Sequence, residues 1–331
     1  MKRFHKLVAM LLVIALAIPM LLTSNTAAAA KKAGAKKVTA KSIMDKCNKA
    51  SEGIHNLSID LKLKVDMGTI GKMIMTAKGN VQDNPVGADL DIVMDMSQMK
   101  SLFAMIGNND VTEDDLKMKL KMYAETTDEG FFVYESNGSE WIKAKVANSM
   151  DTDNVMGLDT KDIQNAFLKG CKVKETKKAY VLTSNVKITN KMVNQVIDAA
   201  KETAEQFDEE NVAVVRRMFS NTKPVKFSMT IDKKTFMLTS MDCDATAFVN
   251  SIMDNVANDE DTDAAVKPLL AALKMKNCSF TMKLSNYGKA DKVVIPEEAK
   301  AAAEQNAREA VDNTVDKATG EGNADGADAA A

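Results

Sequence analysis

Histidine is nearly absent from this chain of 331 residues, which holds only His5 and His55. His5 belongs to an N-terminal segment built like a leader, so His55 alone remains for chemistry. That excludes histidine-based metal clusters and makes a Ser-His-Asp triad depend on one residue at a helix–strand junction. His55 is read as a surface or junction residue. Catalytic motifs are missing as well: no G-x-S-x-G, P-loop, H-E-x-x-H or G-x-G-x-x-G occurs. The four cysteines, Cys47, Cys171, Cys243 and Cys278, are widely spaced without a C-x-x-C, which excludes the usual zinc and redox motifs. Asp151, Asp153 and Asn154 begin like a calcium loop, but Val155 takes a ligand position and no glutamate closes it. The acidic stretches 110–115 and 259–263 lack the glycine turn and read as solvated loops. Nothing places two carboxylates across a cleft, so glycoside hydrolysis has no support. The expectation is a protein that is not an enzyme and needs no metal or cofactor.

Long apolar runs are scarce too. The one example, 7–22, follows Lys2, Arg3 and Lys6 and precedes the small residues 26–30. This is the signature of a secretory signal peptide spanning 1–30, with cleavage expected after Ala29 or Ala30. An uncleaved anchor helix is the alternative. The run is near the ~17-residue lower limit for a span, and it contains Pro19. No cysteine lies near the cleavage zone, so a lipid-anchored form is not available. Removing three positive charges takes the formal net charge from −2 to −5. A mildly acidic exported chain is a poor partner for nucleic acid, and none is expected. Residues 31–38, with Lys31, Lys32, Lys36 and Lys37, form a basic disordered leader able to touch an anionic envelope surface only weakly. The expected location is outside the cell or on the outer face of its envelope.

Aromatic residues make up only 5% of the chain, whereas methionines number 23. Methionine is flexible and polarisable, fills irregular cores, and is over-used where ligands of variable shape are accepted. An even cysteine count in an exported chain permits two disulfides with three connectivities. Cys243 and Cys278, both at strand-like positions, are the preferred pair, with free buried thiols as the alternative.

What the chain has in abundance is alternation. Leu57, Ile59, Leu61, Leu63, Val65 and Met67 alternate with Ser58, Asp60, Lys62, Lys64 and Asp66. A period of two puts the apolar set on one face of a strand and the charges on the other. Similar alternation marks 73–81, 90–96, 116–122, 225–231 and 274–286. Phe131 to Tyr134, a turn at Ser136-Asn137-Gly138, and Trp141 to Lys143 form a hairpin. Helical spacing marks 39–55, 162–168, a long stretch from a Thr189 cap to about 219, 247–257 and 266–273. The segment after Pro296 is Ala/Glu-rich and reads as helical to about 318, with a disordered tail to 331. The class is therefore α+β with one large antiparallel sheet rather than βαβ repeats.

The order of these elements, with the opening helix and strand over 43–67, the Phe131-Phe132-Val133-Tyr134…Trp141-Ile142-Lys143 hairpin, Ile231-Asp232-Lys233-Lys234-Thr235, and Met282 to Gly288 followed by Val294-Ile295-Pro296, resembles the LolA/LppX-like carrier superfamily. The resemblance covers about residues 40–300. It implies a strongly curved half-barrel over 39–300, with helices covering or plugging an apolar concave face. In characterised members that hollow holds lipid chains. The lining expected here is Leu61, Leu63, Met75, Met94, Met118, Leu120, Phe132, Trp141, Met229 and Met282. The resulting expectation is a secreted envelope protein that binds a lipid or other hydrophobic molecule without covalent chemistry. A membrane surface or envelope protein would be its further partner. The alternative is a structural or protein-interaction module whose hollow is filled by its own helices.

Overall fold

The computed structural model describes residues 38–105, 111–138, 140–147, 154–155, 158–203, 209–260 and 274–306, with residues 262, 264 and 267 between. The expected signal peptide, the basic leader up to 37, the start of the calcium-like loop, most of the 266–273 helix and the tail from 307 lie outside the described residues.

Helix α1 (Ala40–Ser51) starts at Thr39, whose side chain accepts from the Ser42 amide while the Ser42 hydroxyl accepts from the Thr39 amide. This reciprocal cap satisfies amides that the first turn would otherwise leave bare. The chain then runs out as a meander: β1 (Asn56–Asp66), β2 (Lys72–Asp83), β3 (Val86–Asp95), a short 3₁₀ turn with helix α2 (Lys100–Met105), β4 (Lys117–Thr127), β5 (Gly130–Ser136) and β6 (Trp141–Ala147). A small hairpin, β7 (Asn154–Val155) and β8 (Leu158–Asp159), leads into α3 (Thr160–Leu168). The second half holds β9 (Lys172–Glu175), β10 (Ala179–Val186), α4 (Asn190–Thr203), α5 (Glu209–Met218), β11 (Val225–Asp232), β12 (Leu238–Asp244), α6 (Thr246–Asn258) and β13 (Asn277–Ser285). It closes with α7 (Glu297–Lys300) and β14 (Glu304–Asn306).

The large sheet has twelve strands in the order β14-β6-β5-β4-β3-β2-β1-β13-β12-β11-β10-β9. It is open, and all its neighbours pair antiparallel except β14, which lies parallel to β6. Strand β1 sits near the middle. The first half of the chain extends from it to β6, which β14 later flanks at that edge, and the second half returns from the far edge until β13 zips onto β1, from Ser58 opposite Ser285 to Asp66 opposite Asn277. The expected α+β fold with one large curved antiparallel sheet is the fold the chain adopts.

The alternation in β1 translates directly into burial: Ile59, Leu61, Leu63, Val65 and Met67 are all core residues. Register carries the pattern sideways, through Leu61 to Ala77 and Ile92 on one side and to Met282, Met241, Met229 and Leu182 on the other. Ile43, Met44 and Cys47 of α1, Met99 and Phe103 around α2, and Phe167 of α3 belong to the same core, with Val249 and Met253 of α6 packed against it. Each such side chain contributes about 1.5–3 kcal/mol on burial. Helices α4 and α5 make a small core of their own from Val193, Ile197 and Val212.

Two expectations change. The long helix expected from Thr189 to about 219 is two helices, α4 and α5. Over 297–306, the described part of the helix expected after Pro296, the chain makes a single turn, α7, and then extends as β14 alongside β6. Ile295 and Ala299 are buried on the opposite face of the sheet against Tyr123, Phe132 and Tyr134. That anchoring sets the path of the segment more strongly than alanine's helix propensity, a preference of well under 1 kcal/mol per residue.

Candidate functional site

The expected lining divides into three groups. Leu61, Leu63, Met75, Met94, Met229 and Met282 do face the concave side, but they are sealed: Leu61 and Met282 are 0% exposed and Met75 1%. They form the core beneath the helices. Met118 and Leu120 on β4 are also concave, paired with Met94 and Ile92, and both remain partly exposed.

Phe132 and Trp141 are a correction. Tyr123 pairs with Tyr134, and Glu125 with Phe132, so these side chains lie on the face opposite Met122 and Ala124. Phe132 joins the second core under the C-terminal segment, where the Trp141 ring lies tilted against Tyr123 with centroids 5.6 Å apart. The Tyr134 hydroxyl donates to Glu125 at 2.8 Å, and burial raises its pKa. In β5 aromatic residues occupy both parities, so local alternation does not reveal which side faces in.

The concave positions of this hairpin are instead Phe131, Val133 and Glu135 on β5, with Ile142 and Ala144 on β6. Phe131, Val133, Glu135 and Ile142 are all partly exposed. With Met118 and Leu120 they make a continuous apolar strip that the helices leave incompletely covered. Glu135 stands opposite both Met122 and Ile142. Removal from water raises its pKa above the ordinary glutamate value. No local signal marked it, because both parities of β5 carry apolar residues and only the pairing with β4 shows that Val133 and Glu135 face in.

A second depression, of about 400 Å³, lies over β9–β13. Its side chains of one parity, Thr183, Lys226, Ser228, Asp242, Asp244 and Thr281 among them, are those opposite the core. Lys226 and Asp244 approach to 3.4 Å, and the Thr281 hydroxyl donates to Asp242 at 2.9 Å. Phe227, Cys243 and Phe280, of the other parity, also line this trough.

The Cys243–Cys278 bridge expected above is not formed, and all four cysteines are free thiols. Cys243 is opposite Phe280, so Cys278 is its diagonal neighbour on β13. Diagonal positions in an antiparallel pair are roughly 7–8 Å apart, beyond the span a disulfide closes without moving the backbone. Burial pushes Cys243 up to about 12, and Cys47 and Cys278 to about 11. Since the thiolate is the nucleophile, these three should resist a thiol-specific reagent at pH 8 and react once denaturant is added. Rapid labelling of Cys243 in the folded protein, or a mass two daltons low, would show the assignment to be wrong.

Among the described residues no group of three or more histidine, cysteine or acidic side chains is placed to hold a metal. His55 meets Asp83 at 2.9 Å on the surface between α1 and β1. Among the same residues no helix is long and apolar enough to cross a membrane.

The site is thus a partly exposed apolar strip on the concave face of an open antiparallel sheet whose centre is covered by helices. Over residues 39–304 the chain matches the Family of unknown function (DUF6612), and it belongs to that family. No curated protein matches the chain.

Proposed function

We propose that this is an exported, non-enzymatic protein of the cell envelope that holds a lipid or other hydrophobic molecule on the concave face of its half-barrel. The observation that carries the reading is the uneven cover of that face. Its centre is sealed by helices, while Met118, Leu120, Phe131, Val133 and Ile142 stay partly exposed at the β4–β6 end. An apolar concave strip of this kind gains free energy by taking an acyl chain out of water. The resemblance of residues 40–300 to LolA/LppX-like carriers supports the same reading, and the leader at 1–30 supports an address outside the cytoplasm.

The test is native mass spectrometry of the protein secreted from its own kind of host, before and after organic extraction. A stoichiometric adduct removed by extraction is the expected result. Bare protein that also refuses added lipids would overturn it in favour of the second reading, a structural or protein-interaction module. That reading is favoured by one observation, the complete burial of Leu61 and Met282 beneath the chain's own helices.

A further inference from the structure

Glu135 occupies a position where the sheet pattern asks for an apolar side chain. On its own strand the same face carries Phe131 and Val133, and across the two neighbouring strands it meets Met122 and Ile142. Neither neighbour offers a countercharge, because the concave positions of β4 are Met118, Leu120, Met122, Ala124 and Thr126, and those of β6 include Ile142 and Ala144. Among the described residues no hydrogen bond or ion pair reaches the carboxylate, and burial accounts for its raised pKa. Another polar group on this face, the Thr126 hydroxyl beside Phe131, is buried with no partner among the described residues. It lies four residues from Met122, about 13 Å along β4.

An unpaired carboxylate on an apolar strip is costly to the fold alone, and a cation from outside would relieve that cost. A soluble cation would gain little from the surrounding methionine and valine, whereas one carried on a hydrocarbon would use both. We propose that Glu135 selects hydrophobic ligands bearing an ammonium group, receiving the cation while the alkyl portion lies along Val133, Met122, Leu120 and Met118. This rests on the hydrophobic-ligand reading above.

The test uses the mature chain and three ligands of equal chain length, dodecylamine, 1-dodecanol and dodecanoate, each below its micelle-forming concentration, in calorimetric titrations at pH 7. A charge-assisted contact predicts that dodecylamine binds at least about tenfold tighter than dodecanol, with dodecanoate weakest. In Glu135→Gln the amine-to-alcohol ratio should fall to within about threefold, as only a neutral hydrogen bond remains. Equal affinity for amine and alcohol in the unmodified protein, or a preference that survives in E135Q, overturns the proposal while leaving hydrophobic binding intact. Failure of all three ligands to bind overturns both readings. The unmodified protein's preference decides the matter even if the variant folds poorly.

Discussion

Gly79→Ala should destabilise the fold by more than about 3 kcal/mol, lowering the melting midpoint by on the order of 10 °C. Gly79 lies within β2, opposite Ile59 of β1 and Leu90 of β3. A Cβ built there would stand 1.8 Å from the Asp89 carbonyl oxygen and 3.1 Å from the Leu90 Cα. Both obstacles are backbone, so no side-chain rotation makes room. The β2–β3 seam would have to separate, and with it the register that carries the core from β1 to β4. Gly170→Ala is the control: its φ of +82° disfavours alanine, but nothing stands within 4 Å of the added carbon. Only conformational strain of about 1–2 kcal/mol is expected there. Thermal unfolding followed by circular dichroism checks both, and a G79A midpoint no lower than that of G170A would refute the close approach.

Met118→Glu should reduce binding of a hydrophobic ligand by at least about a hundredfold while the protein still folds, because ligand contact would bury an unpaired charge. Met118 is suited to the experiment because it is concave yet partly exposed, near the uncovered end of the face. Its new carboxylate can reach water when no ligand is present. The same change at Met282 would put the charge where exposure is 0% and should prevent folding, separating core from lining. Calorimetric titration with dodecanol, alongside a far-ultraviolet spectrum, gives both readouts. A folded M118E that binds as the unmodified protein does would mean that the strip is not the ligand surface.

The contrast between these sites follows what was legible in the chain. Strands of strict alternation declared themselves, as in β1, where every second residue from Ile59 to Met67 is core. The start of α1 was also written locally, in Thr39 and the apolar spacing behind it. Reading failed where two faces carried similar side chains. Phe131, Phe132, Val133 and Tyr134 give no local hint of sides, and choosing the wrong parity misplaced Phe132 and Trp141 while hiding Glu135. Composition misled at the C-terminus, where alanine and glutamate suggested a long helix but Ile295 and Ala299 had a second core to fill.

By itself the sequence determined the things that depend on near neighbours: which segments alternate, which are amphipathic helices, and that one broad sheet must bury a methionine-rich face. Only the tertiary structure decided which part of that face is sealed. The β1–β13 seam joins segments more than two hundred residues apart, and the helices above the sheet return from distant points in the chain. Which stretch they cover, and so where an apolar strip and an unpaired Glu135 remain, follows from that long-range packing, and local periodicity carries no trace of it.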